Sequence, residues 1–369
     1  MKGGGLAGSP LFLFDARGIR MTGVDVTDPR PGHEFDVGRL RDYLAANLDG
    51  FRAPLRVQQF RGGQSNPTFL LETDNARYVM RKKPSGTLLP SAHMIEREYQ
   101  VMRALHGTDV PVIRPRLLCE DASVIGTAFY VMDFAEGRVF RDPALPGMEP
   151  AERRAIYEEM SRVMARLHAV DPNAVGLGSF GKPSGYVARQ IALWTKQYQT
   201  TKTDPIPAMD ALIAWLPQNI PANERTTIAH GDYRLENLMF HPAEPRVLGI
   251  LDWELATLGH PLADLAYNCM IWHLQPTTVN LGGLAGRDLD ALGIPLESAY
   301  LEHYRVAAGL DTVPDYPFFL AFAFFRFAAI AQGIMFRFLG GNASAPNARE
   351  VGMLTGPLAE LGWRAAQTR

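Results

Sequence analysis

The spacing of apolar residues along the chain changes near residue 135. Before that point, short runs of alternating apolar and polar residues are separated by Gly-Gly and Asp-Asn pairs, which is typical of antiparallel strands joined by turns. We predict strands over residues 55–60, 68–73, 78–81, 115–119 and 127–133. Between the third and the fourth strand, apolar residues at helical spacing predict one helix over residues 91–106, with Ser91 as its N-cap.

After residue 137 the apolar residues recur mainly at helical spacing. We predict helices over residues 151–170, 186–200, 207–216, 262–273, 295–309, 317–339 and 349–367, with short strands over 227–229, 238–240 and 247–251. The chain thus divides into a leader of residues 1–34 that we expect to be flexible, a sheet-rich lobe of residues 35–134 and a helical lobe of residues 135–369. Met21 is an alternative to Met1 as the natural start. Two such lobes leave a cleft, where a ligand is expected.

Composition and charge narrow the classes of function. The 37 Lys and Arg residues nearly balance the 39 Asp and Glu residues, so no overall field favours nucleic acid or an anionic membrane. Cys119 and Cys269 lie in apolar stretches, and no cluster of Cys and His indicates a zinc site or a disulfide framework, which fits a cytoplasmic location. The apolar run over residues 317–340 contains two arginines, which are costly in lipid, so we predict a buried core helix there.

The strongest chemical signal is residues 230–237, HGDYRLEN, followed by residues 250–254, ILDWE. Phosphoryl transfer needs a group that orients the attacking hydroxyl and oxygen ligands for a divalent metal. Asp232 can orient that hydroxyl and accept its proton, Asn237 can return to the same site as a metal ligand, and Asp252 would be the main carboxylate ligand. A single Asp is often a turn former, but the spaced set of three favours a metal and phosphate site.

These two segments resemble the catalytic loop and the metal-binding aspartate of the aminoglycoside phosphotransferase and choline kinase superfamily, over roughly residues 35–340. The resemblance implies an α+β, protein-kinase-like fold of two lobes: a small antiparallel-sheet N-lobe with one helix, which binds nucleotide, and a larger, mainly helical C-lobe, which carries the catalytic loop and acceptor-binding helices. It implies ATP as the phosphate donor and Mg²⁺ as the metal. The runs RGGQSNPT, RKKP, LLPSAH and EREY are most similar to the branch that eukaryotes fuse to acyl-CoA dehydrogenase domains, and we expect this chain to end before such a domain.

The resemblance places the nucleotide site in the small lobe, beginning with a turn between two strands. The turn residues are Gly62, Gly63, Gln64, Ser65 and Asn66. A glycine pair in such a turn lets backbone N–H groups approach phosphate oxygens closely. We therefore predict that this turn contributes to nucleotide binding.

Three further elements of the small lobe complete the predicted nucleotide site. Arg81 stands where the resembled family has its phosphate-contacting basic residue; Lys83 has the same strand parity and is the alternative. Glu98 occupies a position similar to that of the glutamate that pairs with this cation. Backbone groups of Asp133 and Ala135 match the hinge that meets the adenine edge.

Three arginines of the larger lobe are further candidates. Arg234 can reach the transferring phosphoryl group, as a basic residue does in protein kinases, or form an ion pair with Glu236 or Glu254. Arg326 and Arg337 are eleven residues apart, close to three helical turns, and therefore lie on one side of an apolar helix. Charges in that setting either form internal salt bridges or bind an anionic acceptor.

We expect a small-molecule kinase whose partners are ATP and a hydroxylated metabolite. Aminoglycosides are polycations that would favour an acidic cleft, and the larger lobe has no dense acidic run, so a hydroxy acid or a hydroxyacyl-CoA is the favoured acceptor. Alternatives are an aminoglycoside or amino-alcohol kinase and a non-catalytic nucleotide-binding partner of an acyl-CoA dehydrogenase. A silent module would not need Asp232, Asn237 and Asp252 together, which argues against the latter. The sequence does not determine the oligomeric state.

Overall fold

Six antiparallel strands form one sheet in the N-terminal part of the chain. The computed structural model describes residues 25–61, 66–84, 94–279, 282–343 and 345–368. The strands are β1 (Val26–Thr27), β2 (Arg56–Phe60), β3 (Thr68–Glu72), β4 (Arg77–Lys82), β5 (Pro115–Cys119) and β6 (Phe129–Asp133). They lie in the order β1-β2-β3-β4-β6-β5, and every neighbouring pair is antiparallel.

Both faces of this sheet are covered by helices. The helices are α1 (Val37–Asn47), α2 (Ile95–Leu105) and α3 (Ala122–Ile125). In the central strand β4, Tyr78 and Met80 pack with residues of α1 and α3, whereas Val79 packs with residues of α2. Because strand side chains alternate between faces, Arg81 shares the α2 face with Val79, as the sequence parity predicted. Lys82 lies on the other face, buried beside the ring of Phe35.

The first strand, β1, lies within residues 1–34, which the sequence analysis predicted to be a flexible leader. Strand β1 pairs with β2, the backbone N–H of Arg30 donates to Oε1 of Gln59 over 2.8 Å, and Asp25 forms an ion pair with Arg61. Strand β1 is therefore part of the sheet and Arg30 is hydrogen-bonded to β2, so this described part of the predicted leader packs with the small lobe. Residues 1–24, including Met21, lie outside the described part of the chain.

The larger lobe is mainly helical. Its helices are α4 (Pro150–Ala169), α5 (Tyr186–Thr201), α6 (Pro207–Trp215), α7 (Pro261–Cys269), α8 (Leu289–Leu292), α9 (Glu297–Ala307), α10 (Tyr316–Leu339), α11 (Ala348–Gly352) and α12 (Thr355–Gln367). Four short strands lie among them: β7 (Thr227–Ala229), β8 (Leu238–Phe240), β9 (Val247–Ile250) and β10 (Thr257–Gly259). β8 pairs with β9 and β7 pairs with β10, both antiparallel.

Helix α10 is the central helix of the larger lobe. It packs against α5, α7, α11 and α12. Among the described residues it is the one helix long and apolar enough to cross a membrane, but 83% of its most apolar window is buried inside the protein. This burial agrees with the core helix expected from the sequence.

Candidate functional site

Asp232, Asn237 and Asp252 meet at one end of the β8–β9 hairpin. The loop that follows β7 carries Asp232 and ends at Asn237, directly before β8. Leu238 pairs with Ile250, and the N–H of Leu251 donates to the carbonyl of Asn237 over 2.8 Å. Because the two strands are antiparallel, the residue before β8 and the residues after β9 lie side by side. The sequence spacing therefore does bring these three residues together.

The carboxylate of Asp232 is held by several donors. The hydroxyl of Tyr267 donates to Oδ1 over 2.7 Å, and Nδ2 of Asn237 donates to Oδ2 over 3.0 Å and to the Asp232 carbonyl over 2.8 Å. Nε of Arg234 lies 3.3 Å from Oδ1. Asp232 is only 8% exposed, so these contacts fix its side chain in one orientation.

The amide of Asn237 is suited to a metal ion. Its nitrogen is used by Asp232, whereas its buried Oδ1 has no hydrogen-bond partner within the described residues. Such an amide oxygen is a normal ligand of a hard divalent cation. Asp252, beside it, has a left-handed backbone with φ of 60°, and non-glycine residues held in this conformation cluster at functional sites. An amide and a carboxylate fit Mg²⁺, which typically takes few protein ligands and completes its shell with water and phosphate oxygens.

The backbone around Asp232 is fixed by buried polar groups. Asp264, the fourth residue of α7, accepts the N–H of His230 over 2.5 Å and that of Gly231 over 2.8 Å. Nδ1 of His230 accepts the N–H of Asp232 over 3.2 Å, and its Nε2 donates to the carbonyl of Leu251 over 2.9 Å. Both ring nitrogens are therefore occupied by the backbone, and His230 has a structural role.

Arg326 contacts the loop that carries Asp232. Its guanidinium donates to the carbonyl of Gly231 over 2.9 Å and lies 5.5 Å from the ring centroid of Tyr267 and 5.8 Å from that of Trp194. Neither Arg326 nor Arg337 forms an ion pair within the described residues, so the predicted salt bridges are not observed. Arg326 is buried whereas Arg337 is half-buried in the last turn of α10. The two arginines therefore differ in burial and in contacts: Arg326 supports the loop, and the predicted binding of an acceptor by Arg326 and Arg337 stays a prediction.

In the small lobe, Arg81 and Glu98 form a buried ion pair. Nη1 of Arg81 lies 3.1 Å from Oε2 of Glu98, and both side chains are at most 2% exposed. Nδ2 of Asn66 donates to Oε1 of Glu98 over 2.9 Å, and the hydroxyl of Tyr130 donates to Oε2 over 3.1 Å. Lys83 pairs instead with Glu96. Of the two candidate cations, Arg81 is therefore the partner of Glu98.

Two outcomes follow for the predicted nucleotide site. The side chain of Asn66 is fully buried and donates to Glu98, so any contribution of Asn66 to the predicted phosphate contact would come from its backbone, and that contact stays a prediction. Gly62, Gly63, Gln64 and Ser65 lie outside the described residues. Nε and Nη2 of Arg81 are buried without a hydrogen-bond partner in the described part of the chain. Buried guanidinium nitrogens of this kind are available for an anionic ligand.

Electrostatics connect the two lobes. Burial raises the pKa of Glu98 to about 7; the positive charge of Arg81 opposes this shift, and the negative charges of Asp252 and Glu254 add to it. The same two carboxylates act on the guanidinium of Arg81. Asp252, from the large lobe, is therefore close enough to the Arg81–Glu98 pair for its charge to be felt there.

The remaining predicted residues are Arg234, Asp133 and Ala135. Arg234 forms an ion pair with Glu236, which was one of the two pairs considered from the sequence. Asp133 ends β6; its carboxylate accepts from Arg116 over 2.6 Å and its N–H donates to the carbonyl of residue 114 over 2.9 Å. The predicted hinge contact therefore depends on the carbonyl of Asp133 and the backbone of Ala135, which follows in the connection between the lobes.

Sequence reasoning missed two residues of α7. Tyr267 donates to Asp232, and Nδ2 of Asn268 donates to the carbonyl of Tyr233 over 3.2 Å. Together with Asp264 they occupy positions i, i+3 and i+4, so one face of the helix contacts the loop. Three polar residues at this spacing in an otherwise apolar helix were the available signal.

Comparisons with known proteins give one consistent result. The family model described as phosphotransferase enzyme family (APH) matches residues 56–309. A crystal structure from Ralstonia eutropha, of a protein assigned as an aminoglycoside phosphotransferase, is 53% identical, covers 90% of this chain and 99% of that chain, and has a TM-score of 0.85. An aminoglycoside phosphotransferase in a ternary complex with ADP and hygromycin B is 15% identical, covers 90% of this chain and 99% of that chain, and has a TM-score of 0.58, which shows likeness of fold alone.

Two curated relatives are much longer than this chain. Acyl-CoA dehydrogenase family member 10 of Mus musculus is 49% identical over 310 residues, which are 84% of this chain and 29% of that protein. Acyl-CoA dehydrogenase family member 11 of Rattus norvegicus is 44% identical over 344 residues, 92% of this chain and 44% of that protein. The chain thus spans less than half the length of these relatives.

Proposed function

Because this chain belongs to the phosphotransferase enzyme family, we propose that it transfers the γ-phosphate of ATP to a hydroxyl group of a small metabolite. The observation that supports this most is the convergence of Asp232, Asn237 and Asp252 at one end of the β8–β9 hairpin. Phosphoryl transfer depends mainly on positioning and on electrostatic stabilisation, and this set supplies both.

Asp232 is the group that orients the acceptor. Its carboxylate oxygens each take one protein donor, from Tyr267 and from Asn237, and retain lone pairs for a substrate hydroxyl. The acceptor oxygen forms a bond to the γ-phosphorus while the bond to the β,γ-bridging oxygen breaks, and that electron pair leaves with ADP. The proton of the acceptor hydroxyl passes to Asp232. The products are the phosphorylated acceptor and ADP.

Asn237 and Asp252 would hold Mg²⁺ through Oδ1 and the carboxylate. When bound, the ion neutralises charge on the phosphates. Arg81 contributes the small-lobe charge: Glu98 fixes its guanidinium, and two of its nitrogens remain available to α- or β-phosphate oxygens. Arginine cannot lose its proton in this setting, so this contact persists over the whole working pH range.

A hydroxyacyl-CoA or a hydroxy acid is the acceptor class that we propose. The support is the likeness to two proteins named as acyl-CoA dehydrogenase family members, because a kinase joined to such a domain would act on a related acyl substrate. The rival acceptor is an aminoglycoside, since a structure of the same fold was solved with hygromycin B. The two classes differ in charge, so a direct screen distinguishes them.

The test is an ATP- and magnesium-dependent phosphorylation screen with mass analysis of the products. The panel contains hydroxyacyl-CoAs, hydroxy acids, amino alcohols and aminoglycosides. Asp232→Asn should reduce product formation by at least about a thousandfold while nucleotide binding changes little, because general-base and positioning effects are lost together. Asp290→Asn, an exposed residue of α8, is the matched control and should behave as wild type. Binding of ATP without any phosphorylated product would instead support a non-catalytic partner protein, and product formation by Asp232→Asn at the wild-type rate would refute the role of Asp232.

A further inference from the structure

One face of helix α7 supports the whole catalytic loop, but a single side chain on it reaches the carboxylate of Asp232. Asp264 and Asn268 bind backbone groups of residues 230, 231 and 233. Tyr267, between them, donates its hydroxyl to Oδ1 of Asp232 over 2.7 Å. Its side chain is buried, with 4% of its surface exposed. The hydroxyl is therefore shielded from water and directed to one acceptor.

The position of the Tyr267 ring is itself fixed. Arg326, from α10, lies 5.5 Å from the ring centroid and donates to the carbonyl of Gly231, next to Asp232. Burial raises the pKa of Tyr267, and the negative charge of Asp232 acts in the same direction. The hydroxyl thus stays protonated and remains a donor to the carboxylate at neutral pH.

We propose that Tyr267 is a positioning residue for phosphoryl transfer, whose hydroxyl holds Oδ1 of Asp232 and thereby fixes the plane of the carboxylate that receives the acceptor hydroxyl. Asn237 holds the other oxygen, Oδ2, over 3.0 Å. With both oxygens held, the carboxylate cannot rotate. This inference rests on the proposed kinase function and adds a residue to it.

Arg234 is a second donor near the same carboxylate oxygen, and for this reason we expect the loss of the Tyr267 hydroxyl to have a large effect on turnover. Nε of Arg234 lies 3.3 Å from the same Oδ1, while the other end of its guanidinium is paired with Glu236. Without the Tyr267 hydroxyl, Arg234 is the donor left at Oδ1, and its charge draws the carboxylate towards it. The consequence is a turned carboxylate within an otherwise unchanged site.

The test compares Tyr267→Phe with Tyr157→Phe. Tyr157 is also fully buried and donates to a backbone carbonyl, that of Pro143, over 2.6 Å, but does not contact the site. Turnover is measured as ADP release with ATP and Mg²⁺, with water and then each compound of the acceptor panel as phosphate acceptor. Binding of AMP-PNP with Mg²⁺ is measured by calorimetry.

We expect Tyr267→Phe to lower kcat by about tenfold or more, since a hydrogen bond to a charged group is lost. The KM for ATP and the affinity for AMP-PNP should change by less than about threefold, because Tyr267 touches the carboxylate and not the nucleotide site. Tyr157→Phe should retain the wild-type kcat. A kcat of Tyr267→Phe within about twofold of wild type, or an equal fall in Tyr157→Phe, would overturn the inference and leave the proposed function intact. If the wild-type protein transfers phosphate to no acceptor, the proposed function itself fails, and the inference fails with it.

Discussion

Replacing Asp264 by asparagine should both destabilise the folded protein and lower its rate of turnover. The carboxylate is 2% exposed and accepts the N–H groups of His230 and Gly231 with one oxygen each. Asparagine keeps one oxygen, so one buried N–H would face an NH₂ group. The loss of one hydrogen bond to a charged group and the burial of one unpaired donor together cost about 2–4 kcal/mol. Native stabilities are about 5–15 kcal/mol, so the variant should still fold.

The charge of Asp264 is what makes this substitution costly. Although burial opposes ionisation, hydrogen bonds from His168 and from the backbone lower the pKa of Asp264 below its usual value. A depressed folded-state pKa contributes stability that is present above the unfolded value and is lost as the pH falls through the folded value. The destabilisation by Asp264→Asn should therefore be fully expressed at neutral pH and should shrink in strong acid.

The assay is urea denaturation of wild type, Asp264→Asn and the exposed control Asp290→Asn at pH 7, together with turnover of each. A shift of the Asp264→Asn midpoint at unchanged slope gives the free-energy loss directly. Turnover should fall at least about tenfold, because Asp232 follows the two anchored residues and small displacements at a reacting centre are costly. If the free energy of unfolding of Asp264→Asn is within about 0.5 kcal/mol of the wild-type value, the two hydrogen bonds contribute less stability than we assign to them.

Three further substitutions test two residues of the site, Gly231 and Asn237, and one residue outside it, His260, which is the N-cap of α7. Gly231 has φ of 82° and an added Cβ would lie 2.8 Å from the carbonyl oxygen of Leu255, so Gly231→Ala should lower stability by about 1–3 kcal/mol in thermal melts and reduce turnover. Asn237→Ala removes both the donor to Asp232 and the oxygen proposed for Mg²⁺, so the Mg²⁺ concentration that half-saturates AMP-PNP binding should rise; an unchanged value would contradict the ligand assignment. Burial lowers the pKa of His260 to about 4, so the folded state binds fewer protons than the unfolded state between about pH 6.5 and 4. Stability should fall as the pH drops through that window, and His260→Asn, which keeps an N-cap acceptor, should show a smaller fall in melting temperature.

The predicted superfamily and the α+β fold of two kinase-like lobes are confirmed. The superfamily was identified by the resemblance of residues 230–237 and 250–254 to its motifs, whereas the individual strands and helices were readable because alternation and helical spacing survive wherever one face of an element is buried. The misses have local causes. Strand β1 has only two residues, too few to show a period. Helix α1 was not predicted. It begins after a capping aspartate, Asp36, and buries Leu40 and Leu44 at a spacing of four, a helical pattern that is present in the sequence but short.

The C-terminal helix shows how one residue can override a periodic pattern. Residues 349–367 were predicted as one helix, but the structure has α11 and α12 with a break at Met353 and Leu354. Pro357, in the first turn of α12, has no N–H to donate to the carbonyl of Met353, and its ring would clash with that carbonyl in a continuous helix. The hydroxyl of Thr355 donates to the carbonyl of Gly352 over 2.8 Å. Pro357 therefore indicates, already in the sequence, that this segment forms two helices.

The three residues proposed for catalysis were readable because they are close in sequence to the strands that position them. Asp232 and Asn237 are separated by one loop, and Asp252 follows the partner strand, so a hairpin suffices to join them. The contacts of Tyr267 and Arg326 with this loop could not be predicted in this way, although Arg326 itself was a candidate. The two residues reach the loop from α7 and α10, and only the packing of these helices decides which side chain meets which backbone group.

Arg326 also shows the limit of a rule about buried charge. A guanidinium in an apolar helix was expected to have either a carboxylate or an anionic ligand as its partner. The structure uses a third arrangement, a backbone carbonyl with two aromatic rings. The carbonyl concerned belongs to Gly231, whose left-handed backbone departs from a regular strand and so removes it from the ladder of β7. A buried carbonyl without a donor would cost about 1–3 kcal/mol, and the arginine supplies that donor. The side chain of Arg326 thus satisfies a carbonyl of the same turn that places Asp232, so a residue 95 positions from Gly231 in the sequence contributes to the structure of this loop.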